Sequence, residues 1–330
     1  MIRFKWLYLI VYIYLVLPLV IFCLGWIRTP LNLLFAGLIC FVSFRILKGI
    51  FNNAENDAGI HLRSLIFPIL LLGIWVFFSG IGGFTFQNTD FNARNAIFRD
   101  LINQTWPVVY SPIQSNNMLP GYSQVMLVYY FGYWLPAALI GKLAGWKAAN
   151  IFLYFWSWLA TILVLMLLVK KLKKTPYLPT LLMIFFSGMD ILGEVVSAGI
   201  NSRFENTNLL PYFWLPIQHL EWWAGNMQFS SFTTQLYWVS NQALPAWVCM
   251  ALLVNGIDRR HIAFIWALCF FFAPLPAIGF FPFVVMEIFK KEAISQLPES
   301  NRTTIFHKIR TGIHRAWEQT LQTLSLENLL

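Results

Sequence analysis

An all-α, polytopic transmembrane helix bundle, with interfacial helices in a large external loop, is the fold class this sequence predicts. Three observations carry the prediction. Hydrophobic residues are 58% of the 330 and charged residues only 11%, a balance outside the range of soluble domains. Apolar runs long enough to cross a bilayer recur along the chain. The basic residues gather in short clusters beside those runs, above all in KKLKK at Lys170, Lys171, Lys173 and Lys174, which is the signature of membrane topology. The excess of nine positive charges would fit nucleic acid in a soluble protein. Distributed this way it records orientation, and no nucleic-acid partner is expected.

The elements follow in order. Trp6 to Trp26 is a first span behind Arg3 and Lys5, too long for a signal-peptide core, and it places the N-terminus in the cytoplasm. Pro30 to Leu47 is a second span, with Arg45 snorkelling at its end. Residues 48–63 form a mixed-charge cytoplasmic loop, and Ser64 to Ile81 crosses outward. That span delivers Gly82 to Tyr110, GGFTFQNTDFNARNAIFRDLINQTWPVVY, around which the chain is organised. Within it Phe91, Ala93, Ala96, Ile97, Leu101 and Ile102 give a broad apolar face, so Phe91 to Asn103 reads as a helix on the membrane surface with Asp90 at its N-terminus.

Ser123 to Gly145 is apolar enough to cross. If it did, Asn150 to Val169 would carry KKLKK outside, against the positive-inside rule. Interrupted by Pro136 and rich in Tyr and Trp, it is expected to enter the interface without crossing, which leaves 82–149 external. Leu178 to Val196 then returns outward with Asp190 and Glu194 on one face near its outer end, and 197–241 forms a second external loop. Gln242 to Ile257 goes back in and ends at Asp258, Arg259 and Arg260. His261 to Phe289 is broken around Pro274 and Pro276, and Lys290 and Lys291 favour a hairpin there. The polytopic domain is therefore 1–291. The tail 292–330 is cytoplasmic, with a weakly amphipathic helix over Ile305 to Leu324. Cys23, Cys40, Cys249 and Cys269 fall inside spans and read as packing residues.

Asp90 admits two readings. As a helix N-cap it would accept backbone N–H bonds and stabilise the helix by ~1 kcal/mol; as a carboxylate at the membrane face it would do chemistry. The 197–241 loop is dense in Trp, Tyr, Phe, Asn and Gln, which suits sugar recognition through aromatic stacking and amide hydrogen bonds. An interfacial aromatic belt explains the rings equally well. Its candidate binding residues are His219, Glu221, Trp222 and Trp223. Asp190 and Glu194 are acids near a membrane interface, a functional-site hypothesis by default. No phosphate-cradling Gly loop, zinc-ligand spacing or nucleophile elbow occurs.

An apolar span, an external loop opening with an Asp, the segment LPGYSQVMLVYYFGYWLPAALIGKLAG, then a span running into a basic cluster together resemble the GT-C superfamily of polytopic membrane glycosyltransferases, such as protein O-mannosyltransferases and lipid A aminoarabinose transferases. The resemblance covers about 64–196. It implies an enzyme of the hexosyltransferase class in the cytoplasmic membrane, moving a sugar from a polyprenyl-phosphate-linked donor to a glycan, lipid or protein acceptor on the outer face. Asp90 takes the catalytic-base role, with Asp100, Asp190 and Glu194 as second candidates, and Arg94 or Arg99 would stabilise the departing phosphate. No cofactor is required by this scheme, and a divalent metal is left open. With seven or eight spans the chain is shorter than such enzymes, which implies a shortened member or a fragment. The alternative is non-enzymatic: a transporter, or a structural partner in envelope-polysaccharide assembly.

Overall fold

A chain this apolar has one economical way to satisfy its backbone N–H and C=O groups away from water, and it takes it repeatedly: the helix. The computed structural model describes residues 1–53, 58–111, 124–187, 189–205, 221, 223, 225, 227, 229–256, 258–289, 321 and 323–329. Among the described residues three helical stretches are long and apolar enough to cross a membrane: α1 (Phe4–Trp26), α2 (Leu31–Asn52) and Gly132–Leu172, most of which is α5 (Leu135–Leu172). The apolar helices α3 (Leu62–Phe78) and α10 (Pro274–Phe289) are shorter. Between and after these lie α4 (Asp90–Asn103), α6 (Tyr177–Phe185), α7 (Asp190–Glu205), α8 (Phe232–Val254) and α9 (Ile262–Phe272), and α11 (Leu326–Leu329) closes the described chain.

The centre of the bundle is α1, α5 and α8. Leu7, Val11, Tyr14 and Leu15 of α1 are fully covered, as are Ala160, Leu165 and Leu167 of α5 and Leu244, Val248 and Leu252 of α8. α2 packs on α1 but leaves Leu34, Phe35, Phe41 and Phe44 uncovered, as expected of an outer helix facing lipid. Arg45 does not simply snorkel: its Nε lies 3.1 Å from the carboxylate of Glu327 in α11.

The bundle has two distinct ends. At one, β1 (Ile2–Arg3) pairs antiparallel with β2 (Gly59–Ile60), and Lys170 donates to the hydroxyl of Tyr8. Asn328 caps the N-terminus of α9 by accepting from the N–H groups of Ala263 and Phe264. This end collects Arg3, Lys5, Lys170, Lys171, Lys173, Lys174, Arg259 and Arg260. At the other end, α4 packs across the start of α5. Phe98 meets Trp146 at 5.3 Å, and Lys142 donates to the carbonyls of Ile102 and Gln104. Gly82 approaches the carbonyl of Asn150. The described part of 82–149 thus lies together, remote from the basic cluster.

Several expectations change. Gly145 breaks α5 with φ 81° and ψ 179°, inside the stretch Gly132–Leu172 that is long and apolar enough to cross a membrane. Pro136 does not interrupt that segment; it sits in the first turn of α5, where a missing N–H costs nothing. Upstream, β4 (Val125–Met126) pairs with β3 (Val109–Tyr110) instead of being helical. Leu178 to Val196 is not one span: α6 ends at Phe185, Met189 takes a positive φ of 63°, and α7 starts at Asp190. α8 begins at Phe232, well before Gln242, so helix occupies both flanks of what read as the loop 197–241. α9 and α10 form the hairpin, with Trp266 Nε1 donating to the carbonyl of Ala277 across it. The tail helix over 305–324 lies almost wholly outside the described residues.

Candidate functional site at the α4 end

The buried stripe of α4 is Phe91, Arg94, Phe98, Leu101 and Ile102. This is regular helical spacing with one violation, since an arginine stands where the core expects an apolar residue. Ala93 and Ala96, counted on the apolar face from sequence, are exposed. The helix therefore drives a guanidinium inward.

Arg94 is 6% exposed. Its Nη2 lies 2.9 Å from Oδ2 of Asp90 one turn earlier, and the Asp90 side chain is 46% exposed. Its plane lies 5.3 Å from the Phe91 ring. Nε and Nη1 are buried and have no hydrogen-bond partner among the described residues. Burial pushes the guanidinium below its ordinary pKa, and Asp90, Tyr129 and Tyr133 oppose that shift. Tyr129 stands close enough to favour the charge without giving Nε or Nη1 a well-formed hydrogen bond. A buried cation with two unused donors, each left unmade at a cost of about 1–3 kcal/mol, is an arrangement suited to an anion.

Asp90 is not an N-cap. Thr89 holds that position without a side-chain cap, and the Asp90 N–H donates to Oδ1 of Asn88 at 3.1 Å. Asn88 also donates from Nδ2 to the carbonyl of Tyr237 at 2.9 Å, which ties the start of α4 to α8. Asp90 is therefore a carboxylate with one oxygen on Arg94, open to solvent, and anchored by its neighbour.

The remaining predicted residues divide. Arg99 turns to the opposite side of α4 and stacks on Trp146, 4.8 Å from the ring centre. Asp100 accepts from the hydroxyl of Tyr110 at 2.5 Å. Burial first, and then this bond to Asp100, push the Tyr110 phenol up to about 12. Arg99 and Asp100 thus hold α4 and the β3–β4 ribbon in place and do not join Asp90 and Arg94. Asp190 is buried in the first turn of α7, where Trp223 Nε1 approaches Oδ1 at 3.4 Å, and the Trp223 ring covers Gly193. Glu221 is buried and accepts from Ser230 Oγ at 2.9 Å and from the Ser231 N–H at 3.0 Å, just ahead of α8. Both are structural anchors in this geometry. His219, Trp222 and the side chain of Glu194 lie outside the described residues.

Sequence reasoning missed the polar groups behind Arg94. Tyr133, just ahead of α5, hydrogen-bonds Ser157 further along the same stretch. Ser240 and Asn241 of α8 are also buried, and Asn241 has Oδ1 unpartnered among the described residues while its Nδ2 reaches the Tyr130 carbonyl at 3.5 Å. The available signal was Ser157, Ser240 and Asn241 within apolar helices, where polar side chains are expensive. Among the described residues no three His, Cys, Asp or Glu side chains come together in a way that could hold a metal ion. Comparisons with protein-family models, with curated proteins and with solved structures find no match to this chain.

Proposed function

We propose that this chain is a membrane glycosyltransferase of GT-C type, moving a sugar from a polyprenyl-phosphate-linked donor to an acceptor on the outer face of the cytoplasmic membrane. The observation that supports the reading is Arg94: a guanidinium buried on α4, with Nε and Nη1 lacking a hydrogen-bond partner among the described residues and a half-exposed carboxylate beside it. The unused donors suit the carrier phosphate, whose charge grows as the anomeric C–O bond breaks. Asp90 accepts the proton of the acceptor hydroxyl as its oxygen forms the new bond to the anomeric carbon, and the carrier phosphate leaves with the electron pair. A single displacement inverts the anomeric centre. The test is saturable retention of polyprenyl phosphate by the purified protein, lost in Arg94→Gln.

The orientation belongs to the same proposal. With the basic end in the cytoplasm, single cysteines at Phe86 and Lys147, in a background without native cysteines, should label with an impermeant thiol reagent from outside. A cysteine at Lys174 should label only after permeabilisation. Protection of Lys147→Cys until permeabilisation would mean that the segment before Gly145 crosses.

A transporter is the second reading, and one observation favours it. α6 is 9 residues long, so the break before Asp190 lies about 14 Å along the segment from the basic end, near the middle of a ~30 Å hydrocarbon core. Discontinuous helices with a buried acid are typical of transport sites. Asp190→Asn abolishing solute flux, with carrier binding at Arg94 absent, would select this reading.

A further inference from the structure

The polar groups buried behind Arg94 include a second unmade contact. Asn241 of α8 is 1% exposed. Its Oδ1 has no hydrogen-bond partner among the described residues, and its Nδ2 reaches the Tyr130 carbonyl only at 3.5 Å, the weak limit of such a bond. That neighbour fixes which way the amide points, because with Oδ1 and Nδ2 exchanged two oxygens would face each other. A neutral acceptor is thus left over where leaving one unmade is costly.

α8 is irregular at this place. Val239 takes φ −138° and ψ 36° inside the helix, and Pro245, four residues past Asn241, has no N–H to give to the Asn241 carbonyl. Ser240 and Asn241, both buried, lie between these two faults. The same residues adjoin the Arg94 site. Tyr129 and Tyr133 stand beside the guanidinium, Asn241 faces the carbonyl of Tyr130 between them, and Tyr133 also meets the Ser240 hydroxyl. Asn88, two residues before Asp90, donates to the carbonyl of Tyr237, four residues before Asn241. One short segment, 129–133, therefore touches both the cation and the free acceptor. Its rings add apolar faces, with Tyr129 5.0 Å from Tyr130 and 6.0 Å from Trp134.

Two unused donors on a cation and one unused acceptor call for a ligand that carries an anion and an O–H group close together. Aromatic rings beside them suit the C–H face of a sugar. We infer that Asn241 is a specificity-determining residue for the donor, its Oδ1 accepting the hydrogen of one sugar hydroxyl while Arg94 holds the phosphate. This rests on the glycosyl-transfer reading and adds to it the group that recognises the sugar. A site built to accept from a hydroxyl rejects the analogue that lacks it, because the buried oxygen is then left unpaired.

The test titrates the purified full chain in nanodiscs with polyprenyl-phosphate esters of glucose, galactose, mannose and arabinose, and with the monodeoxy analogues of the ester that binds best. Polyprenyl methyl phosphate, a diester with the same single charge and no hydroxyl, is the control. In the parent chain the best sugar ester should bind about ten- to a hundredfold more tightly than the methyl diester, and one monodeoxy analogue should lose a similar factor. Asn241→Leu, branched alike and without polar atoms, should bind that analogue and its parent sugar equally and leave the methyl diester unchanged. Where Asn241→Leu does not accumulate, Asn241→Ala is read in the same way. Arg94→Gln should weaken the sugar esters and the methyl diester alike. A sugar preference that survives the loss of Asn241, or no sugar preference and no loss in any monodeoxy analogue in a chain that binds the methyl diester through Arg94, overturns this inference and leaves the glycosyl-transfer reading standing. Binding of none of these lipids by the parent chain overturns both.

Discussion

Asp90→Asn is expected to lower sugar transfer about 10²–10⁴-fold, the usual contribution of a general base. It should also destabilise the α4 end, and the reason is specific to this pair. Because Asp90 is not the N-cap, the substitution leaves the helix start to Asn88 and removes the partner of a guanidinium that is 7% exposed. Breaking a buried pair costs about 3–5 kcal/mol. Asp90 is half exposed, so water screens part of that cost, and about 1–3 kcal/mol is expected. The double variant Asp90→Asn/Arg94→Gln separates the two effects. With neither charge present, unfolding stability should return toward that of the parent chain while transfer stays lost. Recovery of transfer together with stability would assign the pair a purely structural role.

Gly141→Val is expected to lower transfer on the order of 10²-fold without touching a polar residue. A Cβ at Gly141 would lie 2.7 Å from Ile102 Cγ1 and 2.9 Å from Ala149 Cβ, so α4 cannot stay seated on α5. Overpacking of this kind costs about 1–3 kcal/mol, and α4 is the element that has to yield. Its displacement moves Asp90 and Arg94, and misplacement of about 1 Å costs on the order of 10²-fold in rate. Adding Ile102→Ala should recover part of both losses. Full activity in Gly141→Val, measured by transfer assay at matched protein abundance, would show that the seat of α4 on α5 does not position the site.

What was legible in the sequence follows from what a one-dimensional pattern encodes. Composition and apolar runs identify a helical membrane protein, and the Phe91 to Asn103 helix is visible in its spacing because a surface helix must show one apolar face. The turn at Gly145 is marked by its glycine. The inward placement of Arg94 is not visible from a tally of apolar residues, although Phe91, Arg94, Phe98 and Leu101 carry a helical period once the arginine is admitted to it. The break before Asp190 is hidden because a hydropathy window averages Ser187, Gly188, Asp190 and Glu194 into the apolar run from Leu178 to Val196, and such an average registers no kink. The anchoring of Asp100 by Tyr110, of Asp190 by Trp223 and of Glu221 by Ser230 and Ser231 depends on side-chain partners that sequence spacing does not pair.

The central claim is that Arg94 holds the phosphate of an isoprenoid carrier, and the most direct measurement does not depend on knowing the sugar. Purified protein in nanodiscs would be titrated with a photoreactive polyprenyl phosphate and the crosslinked peptide identified, for the parent chain and for Arg94→Gln. The account predicts saturable crosslinking to the α4 segment in the parent chain, reduced about ten- to a hundredfold in Arg94→Gln, the loss expected for a charge-assisted contact. Crosslinking confined to the basic end, or unchanged by the loss of Arg94, would contradict it.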